Sequence, residues 1–161
     1  MAEVETPRAL LVMAVQDLHD GECAMVARLG RVRDCLDDEV MRELVRDDAA
    51  LAQAQRDELA AIASSLDAEP QDEPNVWLRA ILDDADNDCQ TIAHGPLRDI
   101  ALAGALRKGK QSQRVSYETA LALSRKLDLG EAADRLSRMV ERAEATDGAL
   151  ATALDRLSAG L

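Results

Sequence analysis

Apolar residues recur at helical spacing along nearly the whole chain, and few residues could interrupt a helix. In the first stretch, Leu11, Val15, Leu18, Met25 and Leu29 fall on one face of a helix. The 161 residues include only four prolines and eight glycines, and aromatic residues make up 1 % of them. Alternating runs of β-branched and aromatic residues, which mark strands, are absent. The sequence therefore predicts an all-α protein with a core of Leu, Ala, Val, Ile and Met side chains.

Turn signals divide this pattern into five predicted helices. Thr6 followed by Pro7 is typical of a helix start, and residues 67–74 read as a polar loop with two prolines. Residues 94–96 (His-Gly-Pro) and 128–130 (Asp-Leu-Gly) are further breaks. Within one domain covering residues 1–161, the predicted helices span about residues 7–35, 38–66, 75–93, 96–127 and 131–157.

The lengths of the connections indicate how these helices pack. The short turn after the first helix requires an antiparallel pair, and the same holds for the last two helices. The sequence therefore predicts a bundle of two hairpins, joined by one long crossover that carries one extra short helix. Gly104 and Gly109 lie inside the fourth predicted helix, where we expect a local bend or bulge.

The charge of the chain limits the partners that it can have. The net charge is −12 and the pI is about 4.5, and a field of that sign repels phosphate backbones, so we expect no nucleic-acid partner. No apolar run reaches the roughly 18–20 residues that cross a membrane, and the acidic N-terminus lacks the apolar segment of a signal peptide. We therefore expect a cytoplasmic protein that does not enter a membrane.

Cys23, Cys35 and Cys89 are widely spaced and odd in number, which predicts reduced, half-buried thiols.

Several short motifs resemble those of one family of helical proteins. Residues 17–22 (DLHDGE) resemble the D-L-Y-x-A-E motif that opens the YciE/YciF-type ferritin-like proteins, a bacterial family associated with stress responses. Residues 130–136 and 144–150 resemble two motifs of its last helix, and residues 98–102 resemble its R-D-A-A-L segment. Tyr117 falls on a tyrosine that usually follows the metal motif of its fourth helix. The resemblance implies a ferritin-like four-helix bundle with up-down-down-up topology.

The resemblance also implies a di-iron site, but most of the implied ligands are missing. Such a site uses about six ligands, typically Glu on two helices and Glu-x-x-His on the other two. Glu22 falls on the ligand of the first helix and is retained. The other ligand positions fall on residues of other types, namely Ala50, Leu51, Arg79, Lys110 to Gln113, Arg142 and Ala143.

These replacements predict a network of side chains in place of the metal ions. A buried Glu22 needs a partner, since an unpaired charge inside a protein is costly. We expect the vestigial site to be a hydrogen-bonded and ion-paired network of Glu22, Arg79, Lys110, Gln113 and Arg142. If a metal is bound, Glu22 is the candidate ligand, with His19 as its neighbour. His19, Glu22 and Cys23 could then clamp a soft ion such as zinc, and a solvated or ion-paired Glu22 is the alternative.

Two further features have simple structural explanations. The acidic residues Asp83, Asp84, Asp86 and Asp88 lack the glycine and the terminal Glu of an EF-hand loop, so a solvated face accounts for them. His94 precedes a Gly-Pro break, whereas the histidine of a phosphotransfer bundle lies in the middle of a helix.

The sequence thus favours a function without catalysis. No nucleophile-and-base motif or phosphate-binding loop is present, so we expect neither catalytic residues nor a cofactor. The favoured function is that of a stress-associated ferritin-like protein with a degenerate di-metal site, acting as a homodimer or by binding a protein partner. One alternative is a ferroxidase-like protein that binds iron or another divalent metal at a rearranged site. A second alternative is a signalling bundle that uses His94.

Overall fold

The computed structural model describes residues 3–71 and 73–161. This part of the chain contains five α-helices and no strand: α1 (Pro7–Asp34), α2 (Glu39–Ser65), α3 (Val76–Thr91), α4 (Pro96–Lys126) and α5 (Gly130–Ala159). The predicted all-α fold is confirmed. Met1 and Ala2, where the predicted domain begins, and Asp72, in the predicted loop, lie outside the described residues. None of the five helices combines the length and apolar character needed to cross a membrane.

Side-chain caps and left-handed residues set the ends of several helices. The side chains of Thr6, Asp38 and Asn75 each accept a hydrogen bond from the backbone N–H three residues further on, at 3.1, 2.9 and 2.8 Å. Each bond satisfies a donor that the first helical turn leaves free. Asp67 and Asp128 follow α2 and α4 with φ values of 58° and 57°. This left-handed backbone, which Asp tolerates, ends the helix and turns the chain.

The four long helices form two antiparallel hairpins. α1 packs against α2 and α4 against α5, while across the bundle α1 packs against α4 and α2 against α5. The first half of α1 meets the second half of α4, and the first half of α2 meets the second half of α5. Both cross-bundle pairs are therefore antiparallel, which is the predicted up-down-down-up topology.

The apolar core consists of two clusters at opposite ends of the bundle. The first apolar cluster takes side chains from all five helices, among them Met25, Leu29, Val45, Leu82, Leu102 and Leu150. The second apolar cluster takes them from the four long helices, among them Leu11, Val15, Leu59, Leu121, Leu136 and Met139. Full burial of each such side chain contributes about 1.5–3 kcal/mol. A layer of polar side chains separates the two clusters and forms the candidate site.

The short helix α3 lies in the groove between α1 and α4, over one end of the bundle. A Cβ at Gly21 would lie 2.9 Å from Asn75 Nδ2 and 3.1 Å from Leu78 Cδ2. A Cβ at Gly109 would lie 3.3 Å from Leu78 Cδ1. Glycine at these two positions therefore lets the first turn of α3 approach both long helices.

The bulge expected at Gly104 and Gly109 is absent. The α-helix α4 runs without interruption from Pro96 to Lys126. The two glycines lower its intrinsic helix propensity by about 1 kcal/mol each. Packing against α1, α3 and α5 supports α4 along its length and outweighs this cost.

Replacing Gly21 by alanine tests the close contact between α1 and α3. Gly21→Ala should lower the free energy of unfolding by about 1–3 kcal/mol, because the new methyl group would push Asn75 aside. Asn75 has little freedom to move, since its side chain caps α3 and also donates to the Asp17 carbonyl oxygen at 3.2 Å.

Gly30→Ala in the same helix is the matched control. A Cβ there meets nothing within 4 Å, so this variant should gain about 0.5–1 kcal/mol from helix propensity. Urea denaturation of the parent and both variants measures the difference. Equal effects of the two substitutions would contradict the close approach of α3 at Gly21.

Candidate functional site

The candidate site is a layer of buried polar side chains at the centre of the bundle. We call it the polar layer and define it by six residues, Glu22, Asp48, Gln55, Lys110, Gln113 and Tyr117. Each of them is at most 5 % exposed. Among these side chains, Glu22, Asp48 and Lys110 can carry a charge, which makes the layer unlike the two apolar clusters on either side.

Helical spacing brings these six residues together from three helices. Glu22 comes from α1, and Asp48 and Gln55, seven positions or about two turns apart, share one face of α2. Lys110, Gln113 and Tyr117 follow each other at helical spacing on the inner face of α4. α5 contributes none of the six, and its buried Ala143 belongs to the second apolar cluster.

The Glu22 carboxylate is the centre of the hydrogen bonds in the polar layer. Its Oε1 accepts hydrogen bonds from Gln55 Nε2 at 2.9 Å, from Gln113 Nε2 at 2.8 Å and from the Tyr117 hydroxyl. Gln55 Nε2 also lies 3.1 Å from the Tyr117 oxygen. Within the described residues, Glu22 Oε2 and the amide oxygens of Gln55 and Gln113 have no hydrogen-bond partner.

A buried ion pair lies beside this carboxylate. Lys110 Nζ is 2.6 Å from Asp48 Oδ1, and the two side chains are 2 % and 5 % exposed. Water cannot stabilise either charge at this depth, so each depends on the other. The pair joins α4 to α2, two helices that lie on opposite corners of the bundle.

Burial changes the proton affinity of both acidic groups around Oε1. It raises the pKa of Glu22 from 4.5 to about 7, although the Lys110 ammonium and the Tyr117 hydroxyl partly oppose the shift. Burial and the neighbouring Glu22 raise the pKa of Tyr117 well above its usual value of 10. Tyr117 therefore stays a hydrogen-bond donor, while Glu22 exchanges its proton near neutral pH.

The structure brings three of the five residues of the expected network together and places the other two elsewhere. Glu22, Lys110 and Gln113 belong to the polar layer. Arg79 does not reach it: this residue of α3 binds Asp20 at the surface, with its Nη2 2.6 Å from Oδ1. Arg142 points away from the layer and binds Glu58 at 3.0 Å. Each arginine pairs with the carboxylate closest to its own half-exposed position, where its charge keeps contact with water.

Asp48 and Gln55 are the members of the layer that the motif comparison missed. The motif placed the second-helix ligands at Ala50 and Leu51, but Ala50 is exposed and Leu51 only half-buried. Helical phase could have corrected this placement. Apolar residues buried on α2, such as Val45 and Leu59, fix a face on which Asp48 and Gln55 also lie.

His19 and Cys23 do not join Glu22 in a metal-binding group. His19 Nδ1 lies 3.8 Å from Cys23 Sγ, and both residues line a surface groove with Glu73 and Pro74. Glu22 lies on the inner side of α1, in the polar layer. Burial and the nearby Arg56 lower the pKa of His19. In residues 3–71 and 73–161, no three or more His, Cys, Asp or Glu side chains form a group that could hold a metal ion.

The acidic cluster on α3 takes part in ion pairs with neighbouring helices. Asp83 and Asp86 bind Arg28 of α1, and Asp84 Oδ2 lies 3.8 Å from Lys108 Nζ of α4. These contacts fasten α3 to the bundle.

His94 lies in the connection between α3 and α4 and is exposed. Its Nδ1 is 3.4 Å from Asp37 Oδ2 and 3.2 Å from an Arg98 guanidinium nitrogen. Its position, with Pro96 starting the next helix, differs from the mid-helix histidine of a phosphotransfer bundle.

Two antiparallel hairpins, one long crossover and a polar layer at the centre define a ferritin-like helical bundle. The stress protein YciF of E. coli has the same fold, with a TM-score of 0.92 and 18 % identity over 96 % of this chain and 98 % of that chain. YcfI of Rhodopseudomonas palustris matches with a TM-score of 0.88 and 17 % identity, covering 93 % and 96 % of the two chains. Ferritin-like diiron-carboxylate proteins of Bacillus anthracis str. Ames match with a TM-score of 0.74 and 12 % identity, covering 94 % and 99 %.

A family model agrees with this fold assignment. The model described as a domain of unknown function, DUF892, matches residues 6–159, and the chain belongs to this family. No curated protein sequence matches the chain. The resemblance to YciF-type ferritin-like proteins, drawn from short motifs, is confirmed.

Removing the charge of Lys110 should destabilise the protein strongly. Lys110→Met leaves Asp48 buried without its counter-charge, so we expect the free energy of unfolding to fall by about 3–5 kcal/mol. The double variant Lys110→Met with Asp48→Leu removes both charges and should recover most of this loss. Urea denaturation of the four proteins of this cycle measures the coupling between the two residues.

Lys108→Met is the matched control, because Lys108 lies two residues away on the exposed side of α4. It should change stability by less than about 1 kcal/mol, as expected for a surface ion pair. Equal losses for Lys108→Met and Lys110→Met would contradict the role of the buried pair.

The raised pKa of Glu22 predicts a specific dependence of stability on pH. Since the folded protein holds this proton up to about pH 7 and the unfolded chain releases it near 4.5, Glu22 makes folding less favourable as the pH rises through this window. Glu22→Gln has no such proton. We therefore compare the free energy of unfolding of the parent with that of Glu22→Gln. The parent value minus the variant value should fall by up to roughly 1 kcal/mol per pH unit between pH 4.5 and about 7, and should stay constant at higher pH.

Chemical denaturation at several pH values measures this difference. Glu43→Gln, on the exposed side of α2, is the control, and its difference from the parent should not show this fall between pH 4.5 and 7. A difference for Glu22→Gln that increases with pH would mean that the carboxylate is more stable as an anion in the folded protein.

Proposed function

We propose that this chain is a stress-associated ferritin-like protein without enzymatic activity, in which side chains take the place of a di-metal centre. It acts by self-association, as a homodimer, or by binding a protein partner. A cytoplasmic location is part of the proposal.

The buried Lys110–Asp48 pair is the observation that carries the proposal. A di-metal carboxylate centre surrounds its cations with about six oxygen and nitrogen ligands that donate electron pairs. The polar layer instead contains an ammonium group and amide N–H groups that point at Glu22 Oε1. Of its two carboxylates, Asp48 is already neutralised by Lys110. A fixed positive charge and so few free carboxylates do not fit two divalent cations.

The relatives and the surface support the second half of the proposal. YciF, which has the same fold and is described as a stress protein, is the basis for the association with stress. Large apolar side chains stand on the surface, including Trp77 at 78 % exposure, Val76 at 68 % and Leu97 at 61 %. Aromatic and apolar residues in such positions favour contacts with another protein chain.

A metal-binding function at a rearranged site is the alternative, and one observation favours it. Glu22 Oε2 and the amide oxygens of Gln55 and Gln113 are buried without a hydrogen-bond partner in the described structure. Oxygen atoms of this kind suit a hard divalent cation. On this alternative a cation would share the polar layer with Lys110.

Loading with iron distinguishes the two functions. The purified protein is incubated with Fe(II) without oxygen, desalted and analysed for iron by elemental analysis. We expect no bound iron and an unchanged melting temperature, because the ammonium of Lys110 opposes a second cation.

Glu22→Gln is the matched control for this measurement. About two irons per chain in the parent, lost in Glu22→Gln, would overturn the proposal in favour of the metal-binding alternative. Analytical ultracentrifugation of the same metal-free sample then distinguishes self-association from partner binding. A measured mass of two chains supports a homodimer, whereas a measured mass of one chain favours binding of a different protein.

A further inference from the structure

Two cysteines from different helices face each other at one end of the bundle. Cys35 caps the end of α1, and Cys89 lies in the last turn of α3. α1 and α3 run parallel, and three contacts that join them, Asp20 to Asn75, Arg28 to Asp83 and Arg31 to Asp86, each link residues 55 positions apart. Gly21 and Asn75, which are also in contact, are 54 positions apart. This register places Cys35 beside Cys89.

The surroundings of the two thiols agree with this pairing. Both are free, half-buried thiols that pack against the first apolar cluster. Burial and the adjacent Cys35 thiol raise the pKa of Cys89 to about 12. Cys89 therefore keeps its proton at neutral pH and is a poor first nucleophile, since the thiolate is the reactive form.

We propose that Cys35 and Cys89 form a redox-active dithiol, which a peroxide converts into a disulfide that joins α1 to α3. In the first step the Cys35 thiol gives up its proton as its sulfur attacks one peroxide oxygen. The O–O bond breaks, the other oxygen takes up that proton and leaves, and Cys35 becomes a sulfenic acid. In the second step the Cys89 sulfur attacks the Cys35 sulfur, the S–O bond breaks, and the Cys89 proton leaves with the hydroxide as water. With hydrogen peroxide, two thiols and one peroxide give one disulfide and two waters.

The third cysteine has different neighbours. Cys23 lies on α1 one turn after His19, and its Sγ is 3.8 Å from His19 Nδ1. The register of α1 and α3 places it near the first turn of α3, which starts at Val76 and contains no cysteine. Cys23 therefore serves as an internal control for the reaction of an isolated thiol.

The disulfide would change how firmly α3 is attached. In the reduced protein, ion pairs of Arg28 with Asp83 and of Arg31 with Asp86 hold α3 to α1. The side chains of the two arginines are 23 % and 61 % exposed. A covalent link at Cys89 would close a long loop that runs from the end of α1 through α2 to α3, which restricts the unfolded chain. Oxidation would thus fasten α3 over the groove between α1 and α4.

Treatment of the full chain with hydrogen peroxide, followed by peptide mapping under non-reducing conditions, tests this proposal. We expect a peptide pair linked through Cys35 and Cys89, and titratable thiols in the unfolded protein that fall from three to one per chain. The linked pair should form in Cys23→Ser and be absent from Cys35→Ser and from Cys89→Ser. The melting temperature of the parent should rise by about 5–10 °C on oxidation and return on addition of dithiothreitol.

Several results would overturn the proposal. These are a disulfide that involves Cys23, a bridge found only between two chains, or sulfinic acids without a bridge at Cys35 and Cys89. The thiol count and the peptide map of the parent protein decide the question even if a serine variant does not fold. The two proposals are tested by different readouts. Fe(II) loading of the reduced and oxidised proteins reports on the polar layer and so on the proposed function, whereas the thiol count and the peptide map report on Cys35 and Cys89.

Discussion

The ion pair between Lys110 and Asp48 is the interaction on which the arrangement of the bundle depends. α2 and α4 lie at opposite corners of the bundle. The two charges therefore meet only if each helix has the correct position along its axis and the correct rotation about it. Sliding either helix by one turn would move a charge into a cluster of leucines, where nothing could compensate it. Buried pairs of this kind contribute little net stability, but they penalise every other register strongly.

The hydrogen bonds of Glu22 extend this constraint to a third helix. Glu22 belongs to α1, and its Oε1 accepts from side chains of α2 and α4, so one oxygen atom connects three helices. α5 contributes no side chain to the polar layer. The polar layer is therefore asymmetric, and α5 is held to the bundle by apolar packing and by peripheral ion pairs such as Arg107 with Asp147.

The sequence predicted the fold well because the signals for it are local. Helical spacing, the Thr6 cap and the turn signals each depend on residues close together in the chain. The site was harder to predict. The motifs identified Glu22, Lys110 and Gln113, which the structure brings together. They did not identify Asp48 and Gln55, since a motif aligned a few residues out of phase selects the wrong face of a helix.

Arg79 and Arg142 show a second limit of reasoning from the sequence. Their positions in the motifs suggested an inward direction, but a long cation turns toward whichever carboxylate is near and still open to water. Those partners, Asp20 and Glu58, are far away in the chain and become neighbours only when the helices pack. The direction of a surface arginine is thus a property of the tertiary structure, whereas the burial of a leucine follows largely from its own helix.

The division of the core into two apolar clusters also bears on how the molecule fluctuates. The two clusters are separate, so the loss of packing at one end need not spread to the other. The end that contains α3 has side chains from five helices, whereas the opposite end has them from four. Transient opening would then begin at the end without α3, and the backbone amides there would exchange with solvent ahead of those beneath α3. The bundle would in this sense behave as two cooperative units that share a single set of helices.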